Sequence, residues 1–121
     1  MPKTKIVFFE TFGNNKKYLS SKLSKSFDVD FVAEPLTEEN DSVAKTAEII
    51  GVFVESKVNA SVIKKLPKLK LVVTMSTGFD HIDVKYALSK KIVVCNVPSY
   101  GENTVAEHAF ALILSTTSPS F

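Results

Sequence analysis

The sequence contains no arginine, and all fifteen of its basic residues are lysine. Arginine grips a carboxylate with two parallel hydrogen bonds better than any other side chain. A carboxylate site in this chain therefore has to be built from other donors. The formal net charge is only +2, which is too small to predict binding to nucleic acid or to an anionic membrane.

Cysteine and long apolar runs are also scarce. The single cysteine, Cys95, excludes an internal disulfide and is typical of a reducing compartment. The N-terminal stretch is too weakly apolar for a signal peptide, and no segment approaches the length of a membrane span. With 45% apolar and 23% charged residues over 121 positions, the chain is predicted to form a soluble domain, which we expect to be cytoplasmic.

Five apolar runs rich in β-branched residues recur about every 20 to 24 residues, a spacing typical of alternating strands and helices. The runs cover residues 5–9, 29–33, 49–54, 69–73 and 91–95. Helical patterns separate them at residues 16–26, 37–46, 59–66 and 83–89. Since most runs are apolar without alternation, they are expected to be parallel strands covered on both faces.

This alternation predicts an α/β fold with right-handed crossovers. The specific expectation is a flavodoxin-like, doubly wound parallel sheet of five strands in the order 2-1-3-4-5, with helices on both faces. Residues 1–103 would form this domain. Thr104 and Glu107 match a capping box at the start of an apolar helix over 104–114. We interpret 104–121 as an interdomain helix and the truncated tail of a larger protein.

Candidate binding residues follow the strands, because ligands of open parallel sheets bind beyond the carboxyl ends of the strands. Ser76, Thr77 and Gly78 follow the fourth run and offer backbone N–H groups that could cradle an anion. Ser56 follows the third run, and Tyr100 follows the fifth and carries a hydroxyl. The sequence has no G-x-G-x-x-G, Walker, G-x-S-x-G or C-x-x-C motif, so these patterns predict a site and no reaction.

Several of these residues also fit structural roles. Gly78 suits an ordinary turn, and Asp80 and Asp83 suit helix caps. Cys95 is expected to be a buried apolar residue, and His81 to cap a helix or face solvent. No metal site is predicted, because the histidine that follows Glu107 has no second ligand one helical turn away.

Residues 69–114 resemble the N-terminal, substrate-binding (catalytic) domain of the D-isomer-specific 2-hydroxyacid dehydrogenases. The resemblance rests on STGFDHID at 76–83 and on NVPSY at 96–100 with VAEH at 105–108. It implies a two-domain NAD-dependent enzyme that moves a hydride between nicotinamide and a 2-hydroxy or 2-oxo acid. The Rossmann domain that would carry the cofactor is absent from this chain.

The resemblance also implies roles for particular residues. The backbone around Ser76, Thr77 and Gly78 would bind the substrate carboxylate, Tyr100 would line the pocket, and the loop of Ser56 would form another wall. Thr77 and Thr104 would lie near the cofactor. The implied partners are a small 2-hydroxy or 2-oxo acid, the missing Rossmann domain and, through helix 104–114, a second copy of the chain.

The departures from the family pattern concern catalysis. The family's catalytic arginine, glutamate and histidine belong to regions beyond residue 121, so no catalytic residue is predicted in this chain. We expect the chain alone to be inactive and not to bind NAD. Met75 stands where many relatives have arginine, which alters the charge of the pocket.

Two other functions fit the fold. A stand-alone receiver-type signalling module would use Glu10, Glu55 and Thr74 as its pocket, although Glu55 stands where a phosphoryl-accepting aspartate is needed. A domain kept only for association would use the apolar surface of helix 104–114 to dimerise.

Overall fold

A five-stranded parallel sheet forms the centre of the molecule in the computed structural model, which describes residues 3–76, 78–96 and 109–114. The strands are β1 (Thr4–Phe9), β2 (Phe27–Val32), β3 (Ile49–Val52), β4 (Leu71–Thr74) and β5 (Val93–Asn96). They are hydrogen-bonded in the order β2-β1-β3-β4-β5, with every neighbouring pair parallel. The predicted fold class and strand order are confirmed.

Helices cover both faces of the sheet. They are α1 (Gly13–Leu23), a 3-10 helix (Asp41–Ala44), α2 (Ala60–Lys64), α3 (Val84–Ser89) and the helical segment 109–114. Val7 and Phe9 of β1 join the core beneath α2 and α3, while Ile6 and Phe8 join the core beneath α1 and segment 109–114. The strands are apolar without alternation because both of their faces are buried.

The 3-10 helix corrects one prediction. An α-helix was expected over 37–46, but only Asp41–Ala44 is helical, and it is a 3-10 helix. Asn40 explains the difference, since its side chain accepts a hydrogen bond from Thr37 N at 2.8 Å and donates one to Pro35 O at 2.9 Å. These local bonds offer the backbone an alternative to the α-helical ladder.

Several other boundaries differ from the prediction by one to three residues. Helix α1 lies three residues earlier than expected. Strand β5 begins at Val93 and not at residue 91, because Lys91 adopts a left-handed conformation with φ of 63°. Strand β3 ends at Val52 rather than at residue 54, because the next amide, Phe53 N, donates to a side chain of the loop after β1. Within the described segments, no helix combines the length and apolarity needed to cross a membrane.

Candidate functional site

The carboxylate of Glu10, at the end of β1, is held by the loop that follows β3. Its Oε2 accepts hydrogen bonds from Phe53 N at 2.9 Å, Ser56 N at 3.0 Å and Ser56 Oγ at 2.6 Å, and its Oε1 accepts one from Glu55 N at 3.2 Å. We call this arrangement the Glu10 clamp. Three converging amides form an anion-binding concavity, and here the anion is part of the chain itself.

The backbone of Glu10 shows what the clamp requires. Its φ of 56° is in the left-handed region, which costs a residue with a Cβ roughly 1–2 kcal/mol. Hydrogen bonds to a charged group contribute about 1.5–3 kcal/mol each, so the clamp outweighs this strain. The loops after β1 and β3 are thereby fixed to each other at the carboxyl edge of the sheet.

Ser56, a predicted substrate-binding residue, is fully buried inside this clamp. Its hydroxyl donates to Glu10 Oε2 and accepts from Leu36 N at 2.9 Å, so its proton and one of its lone pairs are engaged internally. The side chain therefore shapes the loop rather than facing the edge of the sheet. Facing outward are Val54 of this loop and Phe12 of the loop after β1, which are 59% and 65% exposed and line a groove of about 360 Å³.

The loop after β4 is organised by a row of hydrogen bonds. The Nε2 atom of His81 lies 2.7 Å from Thr74 Oγ1, which in turn lies 2.7 Å from Ser76 Oγ. The hydroxyl of Ser76 donates to the carbonyl of Gly78 at 3.0 Å. Thr74 is fully buried at the end of the strand, whereas Gly78 is exposed. The row thus connects the core to the exposed turn.

Space around Gly78 is open. A Cβ built on this residue meets no atom within 4 Å among the described residues. Packing inside this part of the chain therefore does not demand glycine there. Gly78 itself is exposed and adds no side chain to this turn.

Helix α3 begins directly after this loop. Asp83 caps it by accepting a hydrogen bond from Tyr86 N at 3.0 Å, which confirms the expected capping role. The backbone of the loop is tied to the loop after β3 through Val58, whose N–H donates to His81 O at 2.9 Å and whose carbonyl accepts from Asp83 N at 2.9 Å. The loops after β1, β3 and β4 therefore form one connected rim.

The side chain of His81 is half-buried within this rim. Burial lowers the pKa of His81 below the usual 6.5. The positive charge of Lys57 lowers it further, whereas the nearby carboxylates of Glu10 and Asp80 act in the opposite direction. At a pH between the folded-state pKa and the unfolded-state pKa, such a histidine is protonated in more of the unfolded molecules than of the folded ones.

A pH dependence follows from this shift. We expect His81 to lower the free energy of unfolding as the pH drops from about 7 through 6.5 to its lowered pKa. The H81Q variant retains an amide donor at the position of Nε2 but does not titrate, so its stability should be flatter in this range. Urea unfolding curves at several pH values measure both. Equal slopes in the two proteins would contradict the assignment to His81.

The structure brings together only part of the predicted site. Ser76 and Gly78 share the exposed turn, and Ser56 lies in the neighbouring loop, whereas Thr77, Tyr100 and Thr104 lie outside the described residues. Cys95, expected to be buried, is only half-buried, and burial raises the pKa of its thiol. The Glu10 clamp and the link from His81 to Thr74 were not predicted.

A larger cavity, of about 460 Å³, lies at the opposite edge of the sheet. It is lined by Thr4, Glu48 and Lys91, near the amino ends of the strands. Open parallel sheets bind their ligands at the carboxyl ends, and the connected polar rim lies there too. The rim is therefore the better candidate site.

Comparison with known proteins agrees with this geometry. The profile of the D-isomer specific 2-hydroxyacid dehydrogenase family, catalytic domain, matches residues 6–118. The chain belongs to this family. A 2-hydroxyacid dehydrogenase homolog from Haemophilus influenzae is 32% identical over 114 residues, which are 92% of this chain and 34% of the relative. Glyoxylate/hydroxypyruvate reductase B from Escherichia coli is 37% identical over 101 residues, which are 81% of this chain and 31% of that relative.

Solved structures of the family share the fold. D-lactate dehydrogenase from Aquifex aeolicus, complexed with NAD and lactic acid, matches with a TM-score of 0.71 and 34% identity over 91% of this chain and 33% of that one. The apo-structure of D-lactate dehydrogenase from Escherichia coli matches with a TM-score of 0.73 and 28% identity over 93% and 36%. The chain thus spans about a third of the length of the relatives it matches.

Proposed function

We propose that this chain is the substrate-binding part of an NAD-dependent D-2-hydroxyacid dehydrogenase. The exposed glycine in the turn after β4, Gly78, is the observation that supports the proposal most directly. Family membership supports the reaction class, and the related enzyme from Aquifex aeolicus binds NAD and lactic acid. The substrate would be a small 2-hydroxy or 2-oxo acid.

In this proposal the main chain around Ser76, Thr77 and Gly78 holds the substrate carboxylate. Backbone N–H groups in a turn serve an anion without a cationic side chain, which suits a chain that lacks arginine. Fixing the carboxylate orients the C2 atom for a reaction carried out by groups outside this chain. Tyr100 and the loop of Ser56 would form the walls of the pocket.

The cofactor does not fit the residues present. NAD would supply or accept the hydride in the complete enzyme. Its pyrophosphate needs a glycine-rich turn between a strand and a helix, and the four glycines of this sequence form no G-x-G-x-x-G. Thr77 and Thr104 would at most contact a cofactor held by another domain, so we derive no chemical step in this chain.

Binding of a 2-oxo acid tests the carboxylate site. Titration of the chain with pyruvate should shift the Gly78 amide resonance with a dissociation constant in the millimolar range, since only one wall of the cleft is present. Pyruvamide, which lacks the carboxylate, is the matched control ligand and should have no effect. The G78A variant should weaken binding without unfolding, because a Cβ at this position meets no atom of the described residues within 4 Å. Equal responses to pyruvate and pyruvamide would contradict the proposal.

The same preparation tests the absence of catalysis. We expect no NADH-dependent reduction of pyruvate or glyoxylate by the chain, because neither an arginine nor a cofactor-binding turn is available. Turnover by the pure chain, measured as loss of NADH absorbance, would contradict this expectation.

The remaining hypotheses have less support. In a receiver-type module Glu10 would face a metal ion, but its carboxylate already accepts four hydrogen bonds from the loop after β3. Dimerisation through helix 104–114 remains a prediction for light scattering. In segment 109–114, Ala109 and Ile113 pack against the chain's own core, while Leu114 is 41% exposed. Residence in the cytoplasm also remains a prediction.

A further inference from the structure

The row of hydrogen bonds from His81 to the Gly78 carbonyl has a donor and an acceptor at each contact, and these can be assigned by counting protons. The hydroxyl of Ser76 donates its single proton to the carbonyl of Gly78 at 3.0 Å. The 2.7 Å contact between Ser76 Oγ and Thr74 Oγ1 must then use the proton of Thr74. With that proton engaged, the 2.7 Å contact between Thr74 Oγ1 and His81 Nε2 must use a proton on the imidazole.

The direction fixes the chemical form of His81. Its Nε2 carries a proton, so the neutral ring is the Nε2–H tautomer. The imidazolium also donates from Nε2, so the direction is the same in both protonation states. Each donor in the row has one acceptor, and the row ends on the peptide group that joins Gly78 to Phe79.

The location of the row explains what it does. Thr74 is fully buried at the carboxyl end of a central strand, and Ser76 is half-buried. Hydrogen bonds that link a rigid strand end to an exposed turn restrict the orientation of the peptide groups in that turn. A turn of small residues without such links would be free to reorient, and preorganised amides bind an anion more tightly than amides that must be ordered on binding.

We infer that His81 is a positioning residue, which acts through Thr74 and Ser76 to orient the peptide group that joins Gly78 to Phe79, at the site where a substrate carboxylate would bind. The inference rests on the proposed function for its last clause only. The existence of the row and its effect on Gly78 can be tested without any ligand. His81 acts here through two hydroxyls and not on the substrate.

Three variants isolate the row. T74V replaces the hydroxyl of Thr74 by a methyl group of similar size, whereas T74S retains the hydroxyl and serves as the matched control. S76A removes the last link at a half-buried position, and so gives a test even if T74V fails to fold. The imidazole nitrogen resonances of His81, the Phe79 amide resonance and the pyruvate dissociation constant are measured for each protein by NMR.

The expected results are specific. Wild type and T74S should hold His81 in the Nε2–H tautomer at neutral pH, and T74V should shift the ring towards a mixture of tautomers. T74V and S76A should move the Phe79 amide resonance and weaken pyruvate binding about fivefold, the equivalent of one net hydrogen bond of about 1 kcal/mol. T74S should bind pyruvate within about twofold of wild type, since serine retains the hydroxyl that bonds to Ser76 and His81.

Two results would overturn the inference. One is a predominant Nδ1–H tautomer in the wild-type chain. The other is a Phe79 amide resonance that is unchanged in both T74V and S76A. If wild type shows no response to pyruvate while both variants still move the Phe79 resonance, the proposed carboxylate site fails and the positioning of the Gly78–Phe79 peptide by His81 stands.

Discussion

Replacing Glu10 by glutamine is expected to lower the free energy of unfolding by about 2–4 kcal/mol, because charge-assisted hydrogen bonds weaken and an amide donor then faces the N–H groups of the clamp. The change is nearly isosteric, so the loss would report the carboxylate and not its volume. Urea unfolding monitored by circular dichroism measures it. E55Q is the matched control, since the side chain of Glu55 is exposed and only its backbone N–H joins the clamp.

The left-handed backbone of Glu10 adds a second comparison. E10A removes the carboxylate but keeps a Cβ at φ of 56°, whereas E10G removes both the carboxylate and the strain. We expect E10G to be more stable than E10A by about 1 kcal/mol, even though glycine raises the entropy of the unfolded chain. E10A matching or exceeding E10G in stability would show that the backbone at this residue is not strained.

Acetate provides a further test of the clamp. In E10G the three amides and the hydroxyl of Ser56 lose their anion, so excess acetate should raise the melting temperature of E10G more than that of wild type. Chloride at the same ionic strength is the control. An equal response of both proteins to acetate would mean that the loop after β3 does not form an anion site.

Substitution of Gly51 by alanine should have the other large effect. A Cβ on Gly51 would lie 2.3 Å from Cδ1 of Phe8, the fully buried residue paired with it in the sheet. Phe8 is stacked on Phe31 with ring centroids 5.5 Å apart, so it has little room to move. Overpacking of this kind costs about 1–3 kcal/mol, and the contact with a rigid ring places G51A at the upper end.

A double-mutant cycle tests this explanation. F8L removes part of the ring that a new Cβ would meet, so the F8L/G51A protein should lose less stability than the sum of the two single variants. G78A is the matched control, because the same added methyl group meets no atom within 4 Å there in the part of the chain that the structure describes. Additive losses in the cycle would indicate that G51A acts through the strand backbone and not through Phe8.

The sheet could be predicted because its information is local and repeated. Each strand is a short apolar run, and the order 2-1-3-4-5 follows from five such runs alternating with helices. The helix expected at 37–46 was wrong because a single side chain, Asn40, forms a local turn that pattern counting does not weigh. Asn40 directly follows two glutamates that read as a helix start.

The exposed turn was predictable as a site, but its support was not. Ser76 and Gly78 are two positions apart in sequence and signal a turn by their size. Glu10 and Ser56 are separated by 46 positions. Nothing in the sequence indicates that the carboxylate of Glu10 will accept hydrogen bonds from the amides of the loop that contains Ser56. Long-range hydrogen bonds of this kind depend on which loops the sheet order brings together, so they emerge only with the three-dimensional structure.

The placement of β1 between β2 and β3 also determines when the domain can assemble. Ile6 pairs with Ile49, more than forty positions later, so the middle of the sheet has to wait for distant parts of the polypeptide to meet. Pairings across such long loops slow folding, because the chain loses entropy before the contacts repay it. During synthesis, the segment up to Val32 can form only the β1–β2 pair of the sheet. We expect the turn at Gly78 to form after β4 has paired with β3.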